Sequence, residues 1–496
     1  MSNGRLCRDG AISPAPQAAV TRRHAWWQDA RERGWQDMKI VICGAGLVGA
    51  GIASHLAEEH NDVTVIDDSE EKIQRITDQV DVHGVVGTAS YPDILSEAGA
   101  RDAELLIAVT ESDEVNMVAC QVAHTIFNTP VKIARIRHQP YLDPIYGDLY
   151  SPDQLPIDHI ISPEAEVSAA VSNQLRVPGA FDVKDMCGGR MNLVGVQCSE
   201  VSPIIDTPIR HLTNLFPDLS MTILAVIRDG KLTLPRDGAE MMKPGDRVYF
   251  VCDSEHLDRA MATFAHEEHE ARSVLIAGGG AIGQMLATEI ETNFQNTKVH
   301  LIERNASRAH FLAENLRETR IFNGDALDSS ILAEADVGTT ETFVAVTDDD
   351  EVNILSALLA KRNGAAHAVA LVNIPGFIPL VAALGVDAVI NPSQITVSSI
   401  LEHVRRGRIR DVHAVVEDLG EVIEAEALPS SQLVGKSLRE AKVPKGVAIG
   451  GILRNDKVIP ARGDTVIEAG DTVAIFAARG KIPQVEKLLS VRLDFF

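Results

Sequence analysis

Much of what marks a chain for a particular task is missing here. Cysteine is scarce and scattered: Cys7, Cys43, Cys120, Cys187, Cys198 and Cys252 form no CxxC pair and no Cys/His group with zinc spacing, so reduced thiols are expected. No apolar run approaches the roughly 18 residues a membrane-crossing helix needs. No apolar signal segment opens the chain either, so neither direct membrane insertion nor secretion is expected. Basic residues are outnumbered, 46 to 70, and the formal charge of −24 repels nucleic-acid phosphates and anionic lipid. The GxSxG, HExxH and phosphate-loop lysine signatures are absent. The 16 histidines are dispersed, and the densest run, HEEHE at 266–270, reads as a solvated linker helix rather than a metal site. All three tryptophans, Trp26, Trp27 and Trp35, fall in the first 37 residues, which stand outside the pattern that follows and are expected to form a disordered extension. Met38 opens the first strand directly.

What is present is organised twice over. A chain of 496 residues, 45% of them hydrophobic, can bury several cores. KIVICGAGLVGAGIA (39–53) runs from an apolar strand through glycines into a helix, and SVLIAGGGAIGQMLA (273–287) does so again. Each is followed by a second strand (DVTVIDD; KVHLIERN), a third (VHGVVGTAS; IFNGDALD) and a fourth (AELLIAVTESDEVN; ETFVAVTDDDEVN). Strands alternating with helices predict βαβ units and a parallel sheet covered on both faces. A smaller module follows each copy: ILAVIRDGKLTLPRDGAEMMKPGDRVYFV (223–251) parallels IGGILRNDKVIPARGDTVIEAGDTVAIFA (449–477). Both carry a polar turn, a proline and a Gly-Asp turn, Gly245-Asp246 and Gly470-Asp471. The order A–B–A′–B′ is that of a tandem duplication. The fold class is α/β: two Rossmann-type doubly wound sheets over 38–160 and 272–392, each followed by a small α+β domain, over 185–268 and 411–496.

Gly44-x-Gly46-x-x-Gly49 and Gly278-x-Gly280-x-x-Gly283 sit where a tight turn, a close approach to a pyrophosphate and helix–strand packing each call for glycine. Such a motif alone can serve helix packing. Here the second strands also end in acid, Asp67 and Glu303, placed to accept from a ribose 2′-hydroxyl and favouring NAD over NADP. Arg304 beside Glu303 blurs that reading in the second copy. Gly87-Thr88 and Gly324-Asp325 end the third strands, and Thr110-Glu111 and Thr347-Asp348 the fourth, where ligands bind in open sheets. Asn116 and Asn353 start the next helices, where helix capping competes with ligand contact. Arg135 ends the fifth strand within reach of a ribose or phosphate, or of solvent; its counterpart is Leu371, so the two sites are not expected to be equivalent.

A dehydrogenase needs a substrate domain with a proton donor or acceptor, and neither small module offers one. The stretches MKIVICGAGLVG, VTVID, VGTAS, AVTESDEVNMVACQVAHTIFNTP and IARIR resemble the cytoplasmic NAD-binding regulatory subunits of Trk-type potassium uptake systems, with tandem RCK-N (KTN) and RCK-C domains, over residues 38–496. The resemblance implies a non-catalytic regulator binding NAD(H), and ATP or ADP, at the cytoplasmic face of the inner membrane. It implies docking on a TrkH-like potassium-transporting subunit and a homo-oligomeric ring of Rossmann units. By motif, the first site takes Gly44, Ala45, Gly46, Leu47, Val48, Asp67, Thr110, Glu111 and Arg135. The second takes Gly278, Gly279, Gly280, Ala281, Ile282, Glu303, Thr347 and Asp348. An NAD-dependent dehydrogenase with an unrecognised substrate site is the rival reading.

Overall fold

Strand β1 (Lys39–Cys43) buries four of its five residues, as a central strand of a sheet covered on both faces must. Around it lie α1 (Leu47–Glu58), β2 (Asp62–Asp67), α2 (Glu70–Gln79), β3 (His83–Val86), α3 (Pro92–Glu97), β4 (Leu105–Ala108), α4 (Asp113–Val122), β5 (Val131–Arg135) and β6 (His159–Ile161). This computed structural model describes residues 38–489 apart from 152, 217, 236, 237, 267, 269, 405–408 and 416–418. The expected extension over 1–37 lies outside the described residues. The strands pair in parallel in the order β3-β2-β1-β4-β5-β6. Strand order reverses between β1 and β4, which opens a crevice at their carboxyl ends.

After α5 (Pro163–Arg176) comes an antiparallel sheet of β7 (Ala180–Met186), β8 (Met191–Gln197), β9 (Met221–Arg228), β10 (Lys231–Thr233) and β11 (Arg247–Asp253), flanked by α6 (Ile209–Leu215) and α7 (Leu257–Ala262). Asp229 and Gly230, both at positive φ, turn β9 into β10, and Asn455 and Asp456 make the matching turn in the second half. Chain direction then repeats. The second parallel sheet holds β12 (Ser273–Ala277), β13 (Lys298–Glu303), β14 (Arg320–Asn323), β15 (Thr342–Ala345), β16 (His367–Leu371) and β17 (Ala388–Ile390), in the order β14-β13-β12-β15-β16-β17. Its helices are α8 (Ala281–Asn293), α9 (Ala306–Asn315), α10 (Ser329–Glu334), α11 (Asp350–Arg362) and α12 (Ile378–Ala383), and α13 (Pro392–Val404) follows. The last sheet comprises β18 (Ile409–Ala414), β19 (Gly420–Glu426), β20 (Val447–Arg454), β21 (Lys457–Pro460) and β22 (Thr472–Ala478), backed by α14 (Ile482–Leu489). Its order, β18-β19-β22-β20-β21, is that of the first small sheet. At HEEHE, where a linker helix is expected, the described residues His266, Glu268 and Glu270 are not helical, and Ala265, at φ 66°, follows the end of α7.

The two halves exchange helices. Val397, Ile400, Leu401 and Val404 of α13 complete the core between α1 and the first sheet, against Ile40, Ile52 and Leu56. Reciprocally, Val167, Val171 and Leu175 of α5 pack with Leu286 and Ile290 of α8 over the second sheet. Each such buried side chain contributes about 1.5–3 kcal/mol, so neither half is complete without the other. The small sheets also meet face to face: Met191, Leu224, Tyr249 and Val251 share one core with Val422, Ala474 and Phe476. Gly450 admits this approach, since a Cβ there would stand 3.0 Å from Leu224 and Val251. Polar links cross the same interface: Cys187 donates its N–H to Glu424 (2.7 Å), Lys184 pairs with Asp411 (3.1 Å) and His413 with Asp182 (3.0 Å). Burial alone would raise the Asp182 carboxyl, but His413, Tyr249 and Arg247 outweigh it and hold it below its ordinary value.

Candidate functional site

Gly44 turns the chain at φ 110°, donating its N–H to Ile66 (2.7 Å) so that β1 and β2 end together. A Cβ on Gly49 would lie 1.8 Å from the Gly44 carbonyl, so α1 seats directly on the loop. A Cβ on Gly46 would meet nothing within 4 Å. The space over Gly46, at the N-terminus of α1, is where a pyrophosphate can approach backbone N–H groups. Asp67, only 8% exposed, accepts from Ala45 N (2.7 Å) and Ser69 N (2.9 Å), with Lys72 Nζ 3.7 Å away. It therefore ties the glycine loop to the start of α2, while a carboxylate retains lone pairs for a further donor.

A cleft of about 440 Å³ opens there and collects Gly44, Gly46, Leu47, Val48, Asp67, Gly87, Thr88, Thr110, Glu111 and Arg135. Ala45 and Gly49 lie behind this wall. These residues fit an adenosine-diphosphate moiety, with open backbone for phosphate at one end and a carboxylate for ribose at the other. The second cleft, about 430 Å³, differs. Gly280, Ala281, Ile282, Thr347 and Asp348 line it, together with Arg135, Arg137 and Glu164 from the first half. Gly278, Gly279, Gly283, Glu303 and Asp325 do not line it. Arg308, where the first copy has Lys72, donates to Gly279 O (2.7 Å) and Gln284 Oε1 (2.7 Å) and crosses the loop beside Glu303. Glu303 accepts from Gly279 N (2.8 Å) and Asn305 N (2.6 Å), repeating the Asp67 pattern, and Asp325 caps the local turn at Leu327. A larger cavity, about 870 Å³, lies between the small domains under Arg210, Arg439, Lys442 and Arg462 and holds none of the expected residues.

Asn116 and Asn353 are neither caps nor cleft residues. The caps are Ser112 and Asp349, whose side chains accept from Val115 N and Val352 N. Asn116, fully buried, accepts from Thr110 N (2.9 Å) and Oγ1 (2.7 Å) and donates to Arg135 O (2.9 Å), pinning the ends of β4 and β5 together; Asn353 does the same between Thr347 and Leu371. Two further acids were not anticipated. Asp113 accepts from the backbone of Arg137 and His138, and Asp350 from Asn373 and Ile374, which fixes the segment leaving β5 or β16. Their signal was the repeated DEVN of the two halves. Arg135 donates through Nη2 to Thr110 O (3.2 Å), while its buried Nε has no partner. Burial, and then Arg137, hold its guanidinium below its ordinary pKa. Arg137 pairs through Nε with Glu164 (3.0 Å), whose other oxygen is buried and unpartnered. Five cysteines are buried free thiols; burial pushes Cys43 up to about 12. Among the described residues no His/Cys/Asp/Glu group could hold a metal, and no helix is long and apolar enough to cross a membrane.

Known proteins match this arrangement. The TrkA-N domain model matches residues 40–163 and 274–392, and the TrkA-C domain model matches 194–265 and 422–490. The Trk system potassium uptake protein TrkA of Azorhizobium caulinodans is 48% identical over 459 residues, 92% of this chain and 100% of that protein. The Halomonas elongata protein of the same name is 38% identical over 463 residues, 92% of this chain and all of its own length. Among solved structures, the GsuK RCK domain covers 92% of this chain and 95% of its own at 17% identity (TM-score 0.54). The GsuK channel bound to NAD covers 96% and 84% at 17% identity (TM-score 0.54), a likeness of fold. On these tandem matches and full-length relatives, the chain belongs to the TrkA family of Trk-system potassium uptake proteins.

Proposed function

We propose that this protein is a nucleotide-sensing regulatory subunit that controls potassium passage through a separate, TrkH-like membrane subunit and catalyses no reaction of its own. NAD(H) occupies the first cleft, with its pyrophosphate over Gly46 and its adenosine ribose on Asp67. ADP or ATP occupies the second. The protein works at the cytoplasmic face of the membrane, held there by its partner, in a ring of Rossmann units. The observation that carries this reading is the helix exchange: both clefts open toward the seam between the halves, where Val48, Arg135, Arg137 and Ser393 line them both. A ligand in either cleft then bears on how the two sheets sit against each other. It shifts the equilibrium between arrangements by its differential affinity for them, which is what a sensor requires. Deletion of the gene in a strain with no second copy should impair growth and potassium uptake at limiting potassium, and the intact gene should restore both. Normal uptake in that strain would refute the reading. So would turnover of NADH by the purified protein with small carbonyl compounds, which would favour a dehydrogenase.

A further inference from the structure

We propose that Arg135 and Arg137, both carried by the first half, serve both nucleotide clefts, and that this shared pair makes the two sites bind against each other. The inference rests on the reading of both clefts as nucleotide sites. At the pseudo-equivalent places the second half has Leu371 and Asn373, which carry no charge. Among the described residues lining the second cleft, Arg135 and Arg137 are the only cations, and they share its wall with Asp348 and with Glu164, the partner of Arg137. Arg308 of the second half reaches the glycine loop but is turned onto Gly279 O and Gln284 Oε1, so a di- or triphosphate placed at the N-terminus of α8 finds no cation of its own half on the cleft wall. Its phosphates must draw on the first half's guanidiniums.

Those groups are available for it. Arg135 has a buried Nε without a partner, and Arg137 is 54% exposed with one bond to Glu164. A phosphate can take Arg137 from Glu164, exchanging one charge-assisted bond for another. The same two guanidiniums stand on the wall of the first cleft, which has only Lys72 as a further cation. When one cleft holds its anion, the second anion meets guanidiniums already neutralised and a like charge across them. Each ligand then weakens the other, by the same factor in both directions.

Titration calorimetry on the full chain with NADH and ADP tests this. Gly46→Val and Gly280→Val block one cleft each, and both fit the fold because a Cβ at either position meets nothing within 4 Å. In the Gly46→Val background, Arg137→Gln should weaken ADP binding about tenfold or more, the loss expected for one charged hydrogen bond. In the Gly280→Val background it should weaken NADH binding comparably, and Arg137→Lys should recover part of both losses. In the otherwise native chain, saturating NADH should weaken ADP roughly 5- to 150-fold. Arg137→Gln should shrink that factor. An effect of Arg137→Gln in one background only, or ADP affinity indifferent to NADH, would overturn the sharing while leaving two nucleotide sites. If the unmodified chain binds neither nucleotide, the functional reading fails first and takes this proposal with it.

Discussion

Two substitutions three residues apart should separate the space a ligand uses from the space the fold uses. Gly46 sits at φ −70° and ψ −173°, a backbone conformation open to any residue, and has free space where a side chain would stand. Gly46→Val should fold and melt as the parent does. Its side chain would occupy the pyrophosphate position and break at least two backbone-to-phosphate bonds of about 1.5 kcal/mol or more each, so NADH affinity should fall at least about 100-fold. Gly49 is the opposite case. A methyl there would come to 1.8 Å from the Gly44 carbonyl, against an ordinary C···O approach of about 3.3–3.6 Å. Helix α1 must lift by about 1.5 Å, and its seat against α13 must give with it. Overpacking of this kind costs about 1–3 kcal/mol, which for a unit of this size lowers the melting temperature by roughly 2–12 °C. Differential scanning calorimetry and NADH titration on both variants read the two effects apart. If Gly49→Ala melts like the parent, or Gly46→Val binds NADH normally, the division of roles within the loop is wrong.

Two more outcomes follow from the same geometry. Asp67→Ala should weaken NADH roughly 10- to 150-fold and relax the discrimination against NADPH, because both a charged acceptor and its repulsion of a 2′-phosphate are gone; unchanged NADH affinity would leave Asp67 as a tie for Ala45 and Ser69 only. Asp246→Asn should destabilise by about 2–3 kcal/mol at pH 7, the figure for a broken buried pair reduced because Arg228 is 42% exposed. Burial would raise the Asp246 carboxyl, but Arg228 and the Lys243 N–H outweigh it and hold it low. The pair's contribution is therefore complete above about pH 4, the unfolded value, and is lost as pH falls toward the folded one. Denaturant unfolding should show a smaller gap between variant and parent at pH 3 than at pH 7, and an equal gap would refute the assignment.

The α/β units and the A–B–A′–B′ order were legible because periodicity and glycine placement are local properties that a strand or helix carries in its own residues. The first cleft was legible for the same reason: Gly44, Gly46, Asp67, Thr110 and Arg135 all sit at ends of strands in one sheet. What escaped is what depends on distant partners. DEVN was visible as a repeat, yet nothing local distinguishes Asn116 bonded to Arg135 O from a helix cap. Asp246 and Asp471 were visible as parts of Gly-Asp turns, but their bidentate pairing with Arg228 and Arg454 joins residues 18 and 17 positions apart. Arg135 was correctly placed at a strand end, whereas its exposure to the second cleft depends on helices packed across the seam. Arg308 closing over Gly279 is a side-chain choice that no pattern at positions 303–308 announces.

The exchange of α5 and α13 also has a consequence for how the polypeptide is made. At roughly 5–20 residues per second, the apolar face of α5 leaves the ribosome about 6–23 seconds before α8 exists to receive it. Helix α1 waits longer, roughly 17–70 seconds, for α13. Through that interval the nascent first half carries two sticky surfaces whose proper mates are still unsynthesised. Two nascent chains on one messenger could satisfy them with each other's helices. Slow stretches of translation late in the message should therefore raise the yield of entangled dimers and the demand for chaperones, and faster synthesis of residues 177–404 should lower both.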